Sequence, residues 1–208
     1  MIIESMMVGP IMANCYILGC DTTRQAVVID PGGDGDRILA AIERLKLSLT
    51  TILNTHGHFD HVGANRDVSE ATGAPILIHE KDAPMLAQLT ATARMFGLHA
   101  DNSPPAGRFL ADGDTIEFGE QRLTVIHTPG HTPGGVSFFG DGRVFVGDTL
   151  FAGSIGRTDL PGGNFDTLIA SIQQKLFTLD DAVKVHPGHM GDTTIGQEKK
   201  FNPFCGIR

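Results

Sequence analysis

Three histidines and an aspartate fall within six consecutive positions, His56-Gly57-His58-Phe59-Asp60-His61, directly after the apolar run Thr51-Ile52-Leu53. Gly57 and the preceding run predict a loop leaving the end of a strand, not a helix. On extended backbone His56 and His58 project to the same side, with Asp60 following two residues on. Four ligand-type side chains this close can embrace two adjacent metal ions. Neutral imidazole suits zinc, iron and nickel, and carboxylate adds a hard, charge-compensating donor. Taken alone the segment also suits a solvated polar turn, so the reading depends on whether other segments supply further ligands.

Three segments do, and each is an apolar strand running into a glycine-containing polar loop. Val125-Ile126-His127-Thr128-Pro129-Gly130-His131-Thr132-Pro133-Gly134 offers His127 and His131. Val144-Phe145-Val146-Gly147-Asp148 offers Asp148. Val183-Lys184-Val185-His186-Pro187-Gly188-His189 offers His186 and His189. Ligands at strand ends, with glycine allowing close backbone approach, are what a rigid metal site needs.

The rest of the chain alternates strands and helices. Strands are predicted at Ile2 to Val8, Cys15 to Leu18, Ala26 to Ile29, Thr51 to Leu53 and Pro75 to Ile78. In the second half they are predicted at Thr115 to Phe118, Leu123 to Ile126, Gly135 to Phe139, Val144 to Val146 and Ala182 to Val185. Ile38, Leu39, Ile42 and Leu45 recur at helical spacing and predict a helix from Asp36 to Leu47. Further helices are expected over Val62 to Thr72, ended by Gly73, over Lys81 to Gln88, from a cap at Asn164 or Asp166 to about Thr178, and over Thr194 to Lys200. The stretch from Thr90 to Arg108 has no clear period and reads as a long loop flanking the site. Strands with helices in both halves suggest two sheets packed face to face with helices outside. No linker or low-complexity segment divides residues 1–208, so one domain is expected.

The order THxHxDH, TPGHT, VGDTLF, PGH resembles the metallo-β-lactamase superfamily, and more narrowly its glyoxalase II (hydroxyacylglutathione hydrolase) branch in a short bacterial form. Phe151-Ala152-Gly153-Ser154-Ile155-Gly156-Arg157-Thr158-Asp159 and the ending Thr194-Ile195-Gly196-Gln197-Glu198 through Asn202-Pro203-Phe204 support it. The resemblance implies an α+β fold, an αββα sandwich of two mixed sheets, without a separate C-terminal glutathione-binding helical domain. It also implies a site of two divalent metal ions, zinc foremost, with iron or manganese as options. His56, His58 and His131 would hold one metal; Asp60, His61 and His189 would hold the other; Asp148 would bridge them. A shared hydroxide would attack a thioester such as S-lactoylglutathione, with Asp60 orienting it or holding its proton. Asp30, at the end of a buried strand, would brace the metal loop without ligating. Arg157 would pair with an acid to hold the following loop, with direct substrate contact as the lesser option.

The formal net charge is −8, from 24 acidic and 16 basic residues, which argues against a nucleic-acid or anionic-membrane binder. The cysteines Cys15, Cys20 and Cys205 are odd in number and form no CxxC pair, which fits a reducing cytosol. No signal peptide and no apolar run of about 18–20 residues is seen, so a cytoplasmic protein is expected. Other readings are a persulfide dioxygenase using one iron at His56, His131 and Asp148, a hydrolase of another ester, lactone, β-lactam or phosphodiester, and a non-catalytic metal-binding scaffold. No GxSxG is present for a serine nucleophile. His127, His186 and His79 read as structural histidines, with His186 closest to a supporting role. His99 is a candidate for touching substrate, and the Lys199-Lys200 pair reads as a solvated helix face.

Overall fold

The computed structural model describes residues 1–207. Two six-stranded sheets pack against each other. The first takes its strands in chain order: β1 (Ile2–Val8), β2 (Ala13–Gly19), β3 (Gln25–Ile29), β4 (Ser48–Leu53), β5 (Ile76–His79) and β6 (Arg108–Leu110). β1 to β3 are antiparallel, and β3 to β6 run parallel. The second sheet contains β7 (Thr115–Phe118), β8 (Gln121–His127), β9 (Val136–Gly140) and β10 (Arg143–Gly147). A small hairpin of β11 (Leu150–Phe151) and β12 (Ser154–Ile155) follows, and then β13 (Lys184–Pro187) and β14 (Thr193–Thr194) complete the second sheet. β13 joins β10 in parallel; the other ladders of this sheet are antiparallel. Helices α1 (Gly35–Arg44), α2 (Phe59–Val62), α3 (Asn65–Thr72) and α4 (Leu89–Met95) cover the first sheet, and α5 (Phe165–Gln174) and α6 (Ile195–Phe201) cover the second.

The two-residue period of a strand makes these layers. In β3, Ala26 and Val28 face the helices while Val27 and Ile29 face the other sheet. In β10, Val144 and Val146 face α5 while Phe145 enters the layer between the sheets. Burial on both faces explains why such strands read as unbroken apolar runs. It also locks register, since a one-residue slip would exchange every inward side chain with an outward one.

The structure differs from the sequence reading in several places. The helix expected over Val62 to Thr72 starts only at Asn65 (α3), and Val62 instead ends a separate one-turn helix, α2. The Ala64 N–H donates to the Pro31 carbonyl (2.8 Å) instead of continuing the first helix. Lys81 to Gln88 contains a 3₁₀ segment, Ala83–Gln88, rather than an α-helix. The stretch from Thr90 includes most of α4 before becoming irregular. Asn164 caps α5, accepting from the Thr167 N–H (2.8 Å), but the helix ends at Gln174, with a separate 3₁₀ turn at Leu176–Thr178.

The C-terminal motif also acquires a structural role. Glu198 on α6 is buried and accepts from the Gly153 N–H (2.9 Å), the Thr193 hydroxyl (2.6 Å) and the Asn202 amide (2.8 Å). Asn202 also donates to the Ser154 carbonyl (2.9 Å), so α6 clamps the β11–β12 hairpin just beyond Asp148. Among the described residues no helix is long and apolar enough to cross a membrane.

Candidate metal centre

The C-terminal ends of β4, β8, β10 and β13 meet at one edge of the sandwich. Parallel pairing aligns β10 with β13, and two bonds tie the sheets there: Val136 N–H to the Thr55 carbonyl (2.8 Å) and Asn14 N–H to the Gly188 carbonyl (2.7 Å). Beyond β4 the chain bends at Thr55 and His56, is extended at His58 (φ −70°, ψ 145°) and then turns into α2. Asp60 and His61 therefore sit on a one-turn helix, not on the extended loop expected from the sequence. Phe59 anchors that turn, buried with its ring 5.6 Å from Phe96. Gly188 is needed beside His189, because a Cβ there would collide with Asp148 Oδ1 and His61 Cε1.

Two of the resulting clusters are able to hold a cation: His56, His58 and His131, and Asp60, His61 and His189. In the first, His131 Nε2 lies 2.9 Å from His58 Nδ1. In the second, His189 Nε2 lies 3.3 Å from both His61 Nε2 and Asp60 Oδ2. Asp148 lies between them: Oδ1 is 3.4 Å from His61 Nε2, and Oδ2 is 3.6 Å from His131 Nε2 and 3.7 Å from His189 Nε2. A third overlapping cluster, Asp30, His56 and His61, is fully buried. Asp30 uses its oxygens on Thr55 N–H (2.7 Å), the Thr55 hydroxyl (2.6 Å) and His61 Nδ1 (3.0 Å), which makes it a brace rather than a free ligand.

These residues fit a pair of metal ions. Ligands held tetrahedrally at about 2.0–2.1 Å from zinc stand about 3.3–3.4 Å apart, close to most of these separations. His56 Nε2 and Asp148 Oδ1 are buried without a hydrogen-bond partner among the described residues, a costly state for polar atoms unless a cation takes them up. The outer ring nitrogens are already engaged: His131 Nδ1 with the Arg157 carbonyl (2.7 Å), His61 Nδ1 with Asp30, and His56 Nδ1 with the Thr55 hydroxyl (3.0 Å). Such contacts fix the tautomer that leaves Nε2 as the free donor atom.

The electrostatics point the same way. Burial, then His61 and His131, hold His56 well below the ordinary imidazole range. Burial and His131 bring His58 down to about 4. Burial also opposes charge on His61, but Asp148, Asp60 and Asp30 outweigh it and raise its pKa to about 10. Burial would raise Asp60, yet His61 and His189 hold it well below the usual carboxylate range. Asp148, Asp60 and Asp30 around one buried imidazole thus favour positive charge at this spot.

The remaining histidines stand outside these clusters. His79 and His127 stack on each other, with centroids 4.3 Å apart and planes 6° apart. His186 contacts Asp192 (3.0 Å) and stacks on Phe145. His99 is exposed beside Asp101. Arg157 makes the expected acid pair, with two bonds to Asp159 (2.7 and 2.8 Å); its carbonyl, which holds His131, was not foreseeable from residue type. Asp82 also escaped the sequence reading. It is fully buried, burial raises its pKa, and it accepts hydrogen bonds from both histidine-bearing loops. Replacing His127 with asparagine is expected to leave bound metal unchanged, as counted by elemental analysis; losing one equivalent would put His127 among the ligands.

Comparison with known proteins agrees with this geometry. The family model described as the metallo-beta-lactamase superfamily matches residues 8–189. The hydroxyacylglutathione hydrolase GloC of Haemophilus influenzae is 41% identical over 210 residues, covering 99% of each chain. Among solved structures, the BLEG-1 B3 metallo-beta-lactamase superposes with a TM-score of 0.92 at 38% identity, over 98% of this chain and 99% of that one. TTHA1623, solved in a di-iron-bound form, superposes with a TM-score of 0.89 at 39% identity, over 97% of this chain and 99% of that one. With the paired sheets, the clustered histidines and aspartates, and these matches over nearly its full length, the chain belongs to the metallo-β-lactamase superfamily.

Proposed function

We propose that this chain is a dinuclear metal-dependent hydrolase of thioesters, with S-lactoylglutathione as the representative substrate. The observation that carries the reading is Asp148, whose two oxygens reach both ligand clusters. His56, His58 and His131 would hold one metal, Asp60, His61 and His189 the second, with Asp148 shared. When bound, two such ions supply a water of lowered pKa as nucleophile and polarise the substrate carbonyl.

The chain's own residues do the rest. Asp60 is partly open to solvent, so its carboxylate can accept a hydrogen bond from the attacking water and orient it. Asp30 and the Arg157 carbonyl keep His61 and His131 from rotating. A thiolate leaves a thioester carbonyl without prior protonation, because thiols ionise near pH 8.5. The reaction therefore needs an oriented nucleophile more than a separate general acid.

The thioester assignment is supported by the 41%-identical relative named as a hydroxyacylglutathione hydrolase. Glutathione recognition does not fall to the C-terminal lysines as a free pair: Lys199 is bonded to Asp181 (2.6 Å) and the Leu179 carbonyl (3.1 Å), and Lys200 lies over the Phe201 ring. The test is S-lactoylglutathione hydrolysis by protein whose zinc, iron and manganese are counted on the same sample. Turnover with about two metals per chain is expected. No turnover with one iron per chain, and oxygen uptake on glutathione persulfide, would replace this reading with a dioxygenase.

A further inference from the structure

Two buried aspartates brace the ligand clusters. Asp30 contacts His61 and the Thr55 residue beside His56. Asp82, which follows β5 and opens the 3₁₀ segment Ala83–Gln88, touches different residues. Its Oδ2 accepts from the Gly57 N–H (3.1 Å) and the Thr132 hydroxyl (2.7 Å), and its Oδ1 accepts from the Gly134 N–H (2.7 Å). Gly57 lies between His56 and His58, and Thr132 directly follows His131. One carboxylate therefore ties together the two loops that carry all three histidines of the first cluster. The loops are pressed hard against it. A Cβ on Gly134 would stand 2.6 Å from Asp82 Oδ1, and one on Gly57 would stand 3.0 Å from the Asp82 carbonyl. The turn beneath is held by the Asp82 N–H bonded to the His79 carbonyl (3.0 Å).

We propose that Asp82 is the positioning residue of the His56–His58–His131 cluster. It sets the spacing of the two loops, and with it the affinity of that cluster for a divalent cation, while Asp30 braces His61 directly and His56 through Thr55. The inference rests on the two-metal reading above. Asp82 touches no ligand side chain in the contacts described, so its effect passes through backbone and Thr132.

The test is zinc retained per chain across a gradient of a competing chelator, on Asp82→Asn, Thr132→Val and Thr132→Ser beside wild type, His131→Ala and Asp30→Asn. Thermal melts verify that each variant is folded. Thr132→Val removes one donor to Asp82 at nearly constant shape, and it carries the test if Asp82→Asn fails to fold. One zinc equivalent is expected to leave Asp82→Asn and Thr132→Val at about 10- to 100-fold lower chelator than wild type, with the other unmoved. Thr132→Ser, which keeps the hydroxyl, is expected to restore wild-type retention, and Asp30→Asn, which touches His61 directly and His56 through Thr55, to weaken both equivalents. Folded Thr132→Val that releases both equivalents as wild type does, or weakens both equally, overturns the role of Asp82. Wild type that binds fewer than two zincs, or His131→Ala that keeps both, overturns the metal assignment itself and the inference with it.

Discussion

On the proposed two-metal thioesterase reading, alanine at position 148 is expected to cost the protein its paired metal content and to slow thioester hydrolysis by at least about 10³-fold, equivalent to about 4 kcal/mol of barrier. Asp148 is the carboxylate whose Oδ1 approaches His61 and whose Oδ2 approaches His131 and His189. Without it each cluster keeps three donors, but the negative charge between two dications is gone. At such short range their repulsion is poorly screened. Asp148→Asn separates charge from shape, since it preserves the volume and one acceptor oxygen. It is expected to hold more metal than the alanine variant while remaining far slower than wild type. Elemental analysis and initial rates on the same sample read both effects. Two retained equivalents with turnover within tenfold of wild type would end the assignment of Asp148 as the bridge.

The second large effect is expected at Asp30, and in stability. Asp30 is fully buried at a positive φ of 50° and takes three short hydrogen bonds from Thr55 and His61. Alanine there would leave the Thr55 N–H and hydroxyl unpaired and strip His61 of a charged partner. Breaking a buried ionic pair costs about 3–5 kcal/mol. The left-handed backbone adds about 1–2 kcal/mol for alanine, which lacks the local bonding that lets aspartate visit that region. With about 2–4 °C lost per kcal/mol in a chain of this size, a melting temperature lower by about 8 °C or more is expected. The measurement belongs on chelated protein, so that lost metal does not contribute. Asp30→Asn tolerates the backbone and keeps an acceptor for Thr55, so a clearly smaller loss is expected. Equal losses for both variants would mean that the charge on Asp30 accounts for nearly the whole effect and that the retained acceptor and the backbone contribute little.

Much of the sandwich, and the gathering of ligand-type side chains at one edge of it, was legible in the sequence because both arise from local patterns. Val27 and Val28 reveal a strand buried on both faces. His56, His58, Asp60 and His61 share one segment, and His131, Asp148 and His189 each follow an apolar strand through a glycine. The helix break at Gly63–Ala64 was not legible, because its cause is the Pro31 carbonyl from a distant turn. Nor was the one-turn helix under Asp60, whose anchor Phe59 packs on Phe96.

The sequence by itself determined which side chains have metal-ligating chemistry and which strand ends deliver them, since donor type and two-residue periodicity are local properties. Only the tertiary structure decided how those side chains are held. Asp82 reaches partners 25, 50 and 52 residues away, and His131 is fixed by a carbonyl 26 residues on. Backbone groups look alike in every sequence, and a buried acid after a strand looks like any polar turn. Folding alone brings them to hydrogen-bonding distance, where removing water makes each contact count.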